Sequence, residues 1–148
     1  MRPTRTDVLM AVAMVMATRS TCNRLQVGCV IAKDGRIIST GYAGAPSGLP
    51  HCGPECNPDN PCNNTVHAEA GAIAYAARHG IAVEGATIYC THSPCLACAK
   101  LIINSGIQEV IYDQEYRDKS GVELLLKAGK SVRHVHYIGR ECSDDSNS

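Results

Sequence analysis

The sequence predicts one three-layer α/β domain in which short strands alternate with helices. Its 148 residues match the length of a single domain. Five short runs rich in apolar and β-branched residues are separated by helix-favouring segments. A hydrophobic fraction of 45% with 19% charged residues is typical of a globular chain with a buried core. We assign residues 1–139 to this domain and the polar residues 140–148 to a frayed tail.

The first segment allows two interpretations. Two arginines, an apolar run from Val8 to Ala17 and small residues after it resemble a secretory signal peptide. The run is far shorter than the roughly 20 residues that a membrane span needs. We favour a buried first helix with Thr6 or Asp7 as its N-cap. The residues predicted to face inward are Val8, Met10, Ala11, Met14 and Val15.

A hairpin and a long loop are predicted next. The runs QVGCVIA and GRIISTGY are joined by Lys33-Asp34-Gly35, and Asp-Gly between such runs predicts a β-hairpin. Residues 43–65 are rich in Pro, Gly, Asn and Cys without any periodicity, which predicts a loop. A loop this long in a compact domain is usually functional or held in place by a ligand.

The remaining elements alternate in type. HAEAGAIAYAARHG predicts a helix that ends at Gly80, and GATIYCT predicts a strand. PCLACAKLIINSG predicts a helix with Pro94 in its first turn and Gly106 at its end. EVIYD, GVELLLKAG and SVRHVHYI then predict a strand, a helix and a final strand. Cys29 and Cys90 fall within predicted strands and are expected in the core.

Charge and composition exclude several classes of function. The chain has 14 basic and 14 acidic residues, no Trp and no Phe, so neither bulk positive charge nor base-stacking aromatics favour nucleic-acid binding. Nine cysteines cannot all pair as disulfides, which favours metal binding over a secreted disulfide framework. We therefore expect a cytoplasmic protein without a membrane segment.

Two helix starts carry the residues that predict chemistry. His67-Ala68-Glu69 opens one helix, and Pro94-Cys95 with Cys98 opens another. Cys95 and Cys98 lie about one turn apart at a helix N-terminus, where the dipole favours thiolates that share one ion. His, Cys and Cys would leave the fourth tetrahedral position of Zn²⁺ to water, as in catalytic sites. A carboxylate beside that water, Glu69, can take its proton.

The combination of the two motifs is more informative than either alone. C-x-x-C by itself is equally typical of a redox pair or a structural zinc site. H-x-E followed by P-C-x-x-C, each at a predicted helix start, is typical of zinc-dependent deaminases. We therefore interpret the pair as a catalytic zinc centre.

Over about residues 19–129 the chain resembles the deoxycytidylate (dCMP) deaminase family, including its phage and late-competence-type bacterial members. The resemblance is carried by the stretches RSTCNRLQVGCVI, GRIISTGYAGAPSG, HCGPEC, VHAEAGAI and GATIYCTHSPCLACAKLIINSGIQEVIY. It implies a three-layer α/β/α cytidine-deaminase-like fold with a five-stranded mixed sheet. It also implies a homo-oligomer, with the hexamer as its candidate form.

The resemblance implies hydrolysis of dCMP to dUMP and ammonia. His67, Cys95 and Cys98 would bind the catalytic zinc, and Glu69 would carry protons to N3 and to the departing amino group. The substrate-binding positions implied by the family are Arg24, Ala43, Ala68, Gly71, Ser93, Pro94 and Tyr116. Arg78 matches a position linked to nucleotide-triphosphate regulation. The cation that binds the substrate phosphate is expected among Arg24, Arg78, Lys100 and Arg117.

Two departures from the family pattern bear on the substrate. Ala43 and Gly71 stand where the family generally has Asn. Loss of both amides removes hydrogen-bonding capacity and adds space, so a modified or larger base becomes an alternative: 5-methyl-dCMP, 5-hydroxymethyl-dCMP or a purine nucleotide. dCMP remains our first expectation. A deaminase of tRNA or single-stranded DNA is disfavoured by the zero net charge, and a non-catalytic zinc module by the presence of Glu69.

A second cysteine cluster comprises Cys22, Cys52, Cys56 and Cys62. Competence-type members of the family carry cysteines at matching positions, and phage relatives hold a second zinc in this region. The resemblance therefore implies a closed structural zinc site that fixes the 43–65 loop. His51 is an alternative ligand, while buried thiols or a disulfide are the alternatives to a metal. Cys142 lies in the tail and is assigned no role.

Overall fold

A computed structural model describes residues 2–22, 25–57, 59 and 63–139. The predictions for Arg24, Cys62, Cys142 and the 140–148 tail fall outside these ranges. All structural statements below concern the described residues.

The described residues form four helices and five strands in the predicted order. They are α1 (Arg5–Ala17), β1 (Gly28–Lys33), β2 (Arg36–Tyr42), α2 (Ala68–Arg78), β3 (Thr87–His92), α3 (Leu96–Ser105), β4 (Glu109–Gln114), α4 (Ser120–Lys127) and β5 (Ser131–His134). The predicted α/β class is confirmed.

The five strands form one mixed sheet in the order β2-β1-β3-β4-β5. β1 runs antiparallel to both β2 and β3, whereas β3–β4 and β4–β5 are parallel pairs. The parallel pairs are connected through α3 and α4, as parallel strands require crossover connections. The antiparallel pair β1–β2 needs only a tight turn.

The β1–β2 turn has the geometry that Asp-Gly predicts. Asp34 and Gly35 both have positive φ, at 53° and 77°, and Lys33 pairs with Arg36. Two successive positive φ values define the turn type whose twist matches that of the flanking strands. The predicted hairpin is therefore confirmed at its turn.

The sheet separates two cores because successive strand residues point to opposite faces. In β1, Cys29 and Ile31 join a core built with α2, α3 and α4. Val30 and Ala32 join the opposite core, which α1 covers with Leu9, Met10 and Ala13. The result is the predicted three-layer arrangement. Cys29 and Cys90 are fully buried, as expected for core residues.

The N-cap predicted for α1 is wrong. Thr4, rather than Thr6 or Asp7, caps the helix. The Asp7 N–H donates to Thr4 Oγ1 at 3.1 Å, and the Thr4 N–H donates to Asp7 Oδ2 at 2.9 Å. This reciprocal pair is a capping box, which begins the helix two or three residues earlier than expected.

The facing predicted for α1 is wrong at two of its five positions. Met10 is buried as expected, and Ala11 and Met14 are half-buried, but Val8 and Val15 are 46% and 65% exposed. The helix is apolar on all sides, so periodicity could not select the inner face. Close packing against the sheet determines the inner face. A Cβ at Gly28 of β1 would lie 2.4 Å from Ala13 O, so the face of α1 that carries Ala13 packs against β1.

The described residues between β2 and α2 contain no helix or strand, as the loop prediction expects. A pair of backbone hydrogen bonds between Gly44 and Val66 closes the base of this segment. None of the helices in the described ranges combines the length and the apolar character needed to cross a membrane.

Candidate active site

Two helix N-termini meet beside the sheet and bring the chemical residues together. His67 is the N-cap of α2 and Cys95 the N-cap of α3. α2 approaches the sheet closely at Gly41 of β2, where a Cβ would lie 2.2 Å from Ala68 O. The Ser39 hydroxyl of β2 also donates to Ala72 O at 2.7 Å. The start of α2, and with it Glu69, is therefore held by direct backbone contact with β2.

α4 fixes the start of α3 in a similar way. A Cβ at Gly121 would lie 2.1 Å from Pro94 O and 2.8 Å from the Cys95 carbonyl carbon. Only a glycine allows α4 to pack this closely against the turn that carries Cys95. Pro94 is itself fully buried at this contact.

His67, Cys95 and Cys98 form a compact ligand set. His67 Nδ1 lies 3.4 Å from each of the two sulfurs, and all three ligand atoms lie within 4.8 Å of one another. Tetrahedral Zn²⁺ with ordinary bond lengths would separate such a nitrogen and sulfur by about 3.6 Å. The three residues therefore fit zinc, and no fourth Cys, His, Asp or Glu of the described residues joins the group.

The two thiols at this centre differ in acidity. A hydrogen bond from Cys98, followed by one with His67, lowers the pKa of Cys95 to about 3. The hydrogen bond that Cys98 donates to Cys95, together with burial, raises the pKa of Cys98. A divalent cation bound between the two sulfurs would displace the thiol proton and stabilise both thiolates.

Glu69 lies at the floor of the site and is almost fully buried. Burial raises the pKa of its carboxyl group, and a hydrogen bond from Cys98 partly offsets this rise. A buried carboxylate with a raised pKa is well suited to accept a proton during a reaction and to return it. Its position next to the ligand set agrees with the predicted role.

A cavity of about 450 Å³ opens onto this centre. Its volume suits a small molecule. The lining residues are Cys22, Leu25, Val27, Ala43, Asn63, Thr65, His67, Ala68, Glu69, His92, Ser93, Cys95 and Tyr116. In the described part of the chain no Lys or Arg lines it.

The structure brings together most, but not all, of the predicted substrate-binding residues. Ala43, Ala68, Ser93 and Tyr116 line the cavity. Gly71 and the fully buried Pro94 do not line it, and a Cβ placed at Gly71 would meet no atom within 4 Å. The phosphate candidates Arg78, Lys100 and Arg117 are exposed and lie outside the cavity lining.

Sequence reasoning missed part of the cavity wall. Leu25, Val27, Asn63, Thr65 and His92 line the cavity without having been predicted. Only His92 had a usable signal, because it ends a strand three residues before Cys95. Asn63 and Thr65 lie in a loop without periodicity, where no pattern indicates which side chains face inward.

Tyr116 and Ser93 are joined by a hydrogen bond at the cavity wall. The Tyr116 N–H donates to Ser93 Oγ at 2.9 Å. The Tyr116 ring stacks on the His92 ring, with centroids 5.5 Å apart and planes at 21°. The segment after β4 is thereby attached to the end of β3.

The second cysteine cluster is described only in part. Cys22 lines the cavity, and Cys56 is buried. Cys52 Sγ lies 3.5 Å from Thr65 Oγ1. Among the residues that the structure describes, these sulfurs do not form a set of three ligand atoms within 4.8 Å of one another. Since Cys62 lies outside the described residues, the second zinc stays a prediction.

An open His-Cys-Cys centre beside a buried carboxylate, at the end of a small-molecule cavity in an α/β domain, defines a metal-dependent hydrolase. A family model for the cytidine and deoxycytidylate deaminase zinc-binding region matches residues 3–114. The chain therefore belongs to the deoxycytidylate deaminase family of zinc-dependent hydrolytic deaminases.

Individual relatives agree with this assignment. ComE operon protein 2 of Bacillus subtilis is 42% identical over 129 residues, covering 85% of this chain and 68% of that protein. Deoxycytidylate deaminase of enterobacteria phage T2 is 34% identical, covering 93% and 95%. The yeast Saccharomyces cerevisiae deoxycytidylate deaminase is 39% identical, and the match spans 46% of its length.

A solved structure has the same fold over its full length. The dCMP deaminase of cyanophage S-TIM5, in complex with dCMP and dUMP, superposes with a TM-score of 0.83 at 33% sequence identity. The match covers 90% of this chain and 98% of the phage chain. The predicted five-stranded mixed sheet is confirmed by both the structure and this comparison.

Proposed function

We propose that this protein converts dCMP and water into dUMP and ammonia. The observation that carries the proposal is the joint placement of the zinc-fitting set and the buried Glu69 on one nucleotide-sized cavity. The relatives named deoxycytidylate deaminase, and the dCMP and dUMP bound by the cyanophage enzyme, support this substrate.

His67, Cys95 and Cys98 would hold the zinc ion. When bound, zinc supplies Lewis acidity that brings the pKa of a bound water toward ~7. Glu69 accepts a proton as water attacks C4 of the cytosine ring and delivers it to N3. Glu69 then moves the second proton to the amino group, which leaves as ammonia while the uracil carbonyl forms. Burial of Glu69 excludes solvent from these proton transfers.

The proposal is tested by measuring ammonia release from dCMP with the zinc-loaded protein. We expect turnover with dCMP that exceeds turnover with AMP and dGMP. No release from dCMP under conditions where zinc is bound would overturn the proposal.

A bulkier substrate base is a second candidate, and Ala43 is the observation that favours it. Ala43 lines the cavity where the family has Asn, whereas Gly71 lies outside the lining and lends no support. Rates on dCMP, 5-methyl-dCMP, 5-hydroxymethyl-dCMP and dGMP should be compared in wild type and Ala43→Asn. If Ala43 enlarges the site, the Asn variant loses the substituted bases selectively. If dCMP is the fastest substrate by a wide margin in both proteins, the alternative is discarded.

A second, structural zinc held by Cys22, Cys52, Cys56 and Cys62 is part of the proposal. Thr65 supports a link to catalysis, because it lines the cavity and contacts Cys52. Elemental analysis should return two zinc ions per chain, and one ion in Cys56→Ser. One zinc in the wild type would remove the second site. The matched control is Cys142→Ser, a cysteine outside both proposed ligand sets, which should keep two ions.

Homo-oligomeric assembly and triphosphate regulation at Arg78 are also proposals. Arg78 is the exposed last residue of α2, outside the cavity lining, so a ligand there would act from a separate position. Light scattering measures the assembly state. Comparison of wild type with Arg78→Ala in the presence of deoxynucleoside triphosphates tests the regulation, which an identical response would contradict.

A further inference from the structure

His92 lines the cavity but has no part in the proton transfers proposed for Glu69. It is the last residue of β3, half-buried, and three residues before Cys95. Its ring stacks on Tyr116, and this stacking fixes the plane of the imidazole along the cavity wall. An imidazole held in one orientation can provide one directed hydrogen-bond donor or acceptor, and its neighbours decide which.

Thr91 determines which ring nitrogen of His92 carries the proton. Thr91 Oγ1 accepts a buried hydrogen bond from the Gly28 N–H at 3.1 Å and lies 2.8 Å from His92 Nδ1. In the described ranges the hydroxyl hydrogen of Thr91 has no other acceptor. If Nδ1 carried the proton, that buried hydroxyl hydrogen would be unsatisfied, which is costly. The hydroxyl therefore donates to Nδ1, and the ring proton resides on Nε2.

The His92 ring is neutral near pH 7. Burial lowers the pKa of the imidazole, and the Asp113 carboxylate only partly offsets this effect. His92 Nε2 has no hydrogen-bond partner among the described residues, so its N–H is available to a ligand in the cavity. Since no described Lys or Arg lines the cavity, a nucleotide there would rely on uncharged donors, and this N–H is one of them.

We infer that His92 is a specificity-determining residue whose Nε2–H donates a hydrogen bond to an acceptor oxygen in the sugar-phosphate part of the substrate. The inference rests on the proposed nucleotide substrate. The base of that nucleotide would face Glu69 and the zinc ligands, so His92 would contact the sugar-phosphate part. Thr91 is its positioning residue, because the Thr91 hydroxyl selects the tautomer that donates. The acceptor is either a phosphate oxygen or the 3′-hydroxyl oxygen, and the choice of substrate separates the two.

The kinetic test compares two substitutions with different hydrogen-bonding capacity. His92→Leu keeps bulk but removes the donor, whereas the amide N–H₂ of His92→Gln lies close to the position of Nε2–H. We expect kcat/KM for dCMP to fall about tenfold or more in His92→Leu, mainly through KM, and to recover largely in His92→Gln. His79→Leu, an exposed histidine at the end of α2, is the matched control and should match wild type.

Truncated substrates identify the acceptor. If it is the phosphate, the Leu variant and wild type act equally on deoxycytidine; if it is the 3′-hydroxyl, they act equally on 2′,3′-dideoxycytidine monophosphate. Either result supports the inference. An equal loss on dCMP and on both truncated substrates, or no loss on dCMP, overturns it. If the wild type itself does not release ammonia from dCMP, the proposed function fails instead.

Nuclear magnetic resonance provides a readout that does not depend on turnover. Long-range ¹⁵N–¹H correlation spectra of the zinc-loaded wild type report the tautomer directly. The His92 signals are assigned as those that are absent from the spectrum of His92→Gln. We expect the proton on Nε2 in the wild type and in Thr91→Ser. A proton on Nδ1 in the wild type would overturn the inference.

Discussion

Glu69 combines two properties: nearly complete burial and a position next to two thiols whose arrangement fits a metal cation. Burial raises the pKa of its carboxyl group, and a carboxyl group with a raised pKa is a useful proton donor in its protonated form. A single carboxylate can therefore act first as base and then as acid.

Replacement of Glu69 should separate catalysis from metal binding. We expect Glu69→Gln to lower kcat by at least about 10²–10⁴-fold, the usual contribution of a general acid–base group. Zinc content should not change, because Glu69 is outside the ligand set. The measurements are ammonia release and elemental analysis, with the exposed Glu84→Gln as control. Wild-type turnover in Glu69→Gln would contradict the assigned role.

His92 should make the stability of the protein sensitive to acid. Its folded-state pKa is lowered from 6.5, so below about pH 6.5 the unfolded chain binds a proton that the folded chain resists. Stability is therefore lost as pH falls from 6.5 toward the lowered pKa, and it is retained above 6.5. We expect Tm to decline less steeply over this range in His92→Gln than in wild type. Parallel Tm curves for the two proteins would contradict this assignment.

At the scale of elements, close backbone contacts orient the helices that carry the site. α2 contacts β2 at Gly41, and α4 contacts the Pro94–Cys95 turn at Gly121. Neither contact leaves room for a Cβ, so any side chain there moves a helix start that holds a zinc ligand or Glu69.

Gly121→Ala should therefore weaken both the fold and the metal centre. Its Cβ would overlap Pro94 O, and overpacking of this kind costs typically 1–3 kcal/mol. We expect a lower free energy of unfolding together with faster zinc loss to a chelator. Denaturant titration and chelator competition measure the two effects. An unchanged rate of zinc loss would show that α4 does not position Cys95.

Gly71→Ala is the matched glycine substitution, and it should raise the free energy of unfolding where Gly121→Ala lowers it. Gly71 lies inside α2, and its new Cβ would meet no atom within 4 Å. Replacing a helical glycine by alanine should stabilise the protein by about 0.5–1 kcal/mol. Because Gly71 does not line the cavity, KM for dCMP should stay at the wild-type value. A change in KM would indicate that Gly71 does take part in substrate binding.

Local signals made the element order and the catalytic centre predictable. Asp34-Gly35 predicts a tight hairpin turn, and the spacing of Cys95 and Cys98 corresponds to about one helical turn. The two halves of the centre are 28 residues apart, yet each sits at a helix start that sequence alone indicates. The grouping of His67, Cys95 and Cys98 with Glu69 is therefore predictable without knowledge of the sheet.

Features that depend on packing were not predictable in the same way. The inward face of α1 is chosen by Gly28 of β1, and an all-round apolar helix carries no signal for it. The cavity contacts of Asn63 and Thr65 depend on the path of a loop that has no periodicity. Gly71 was placed at the cavity by family position, but α2 directs it elsewhere.

At the scale of the whole molecule, charge balance opposes binding of polynucleotides. With 14 basic and 14 acidic residues, the chain gains little from release of counterions by a nucleic acid. We expect no binding of a single-stranded oligonucleotide even at low salt, as measured by fluorescence anisotropy. Salt-dependent binding, or ammonia release from cytosines in the oligonucleotide, would favour the polynucleotide deaminase class.

A metal ion bound at this centre would also cross-link two parts of the chain that are distant in sequence. His67 and Cys95 are 28 residues apart, so a bound ion closes a ring that contains α2 and β3. Ring closure of this size restricts the denatured ensemble by about 3–4 kcal/mol in chain-entropy terms. A zinc ion bound there would therefore also oppose unfolding, and chelation should lower the denaturation midpoint even in a variant that has lost turnover.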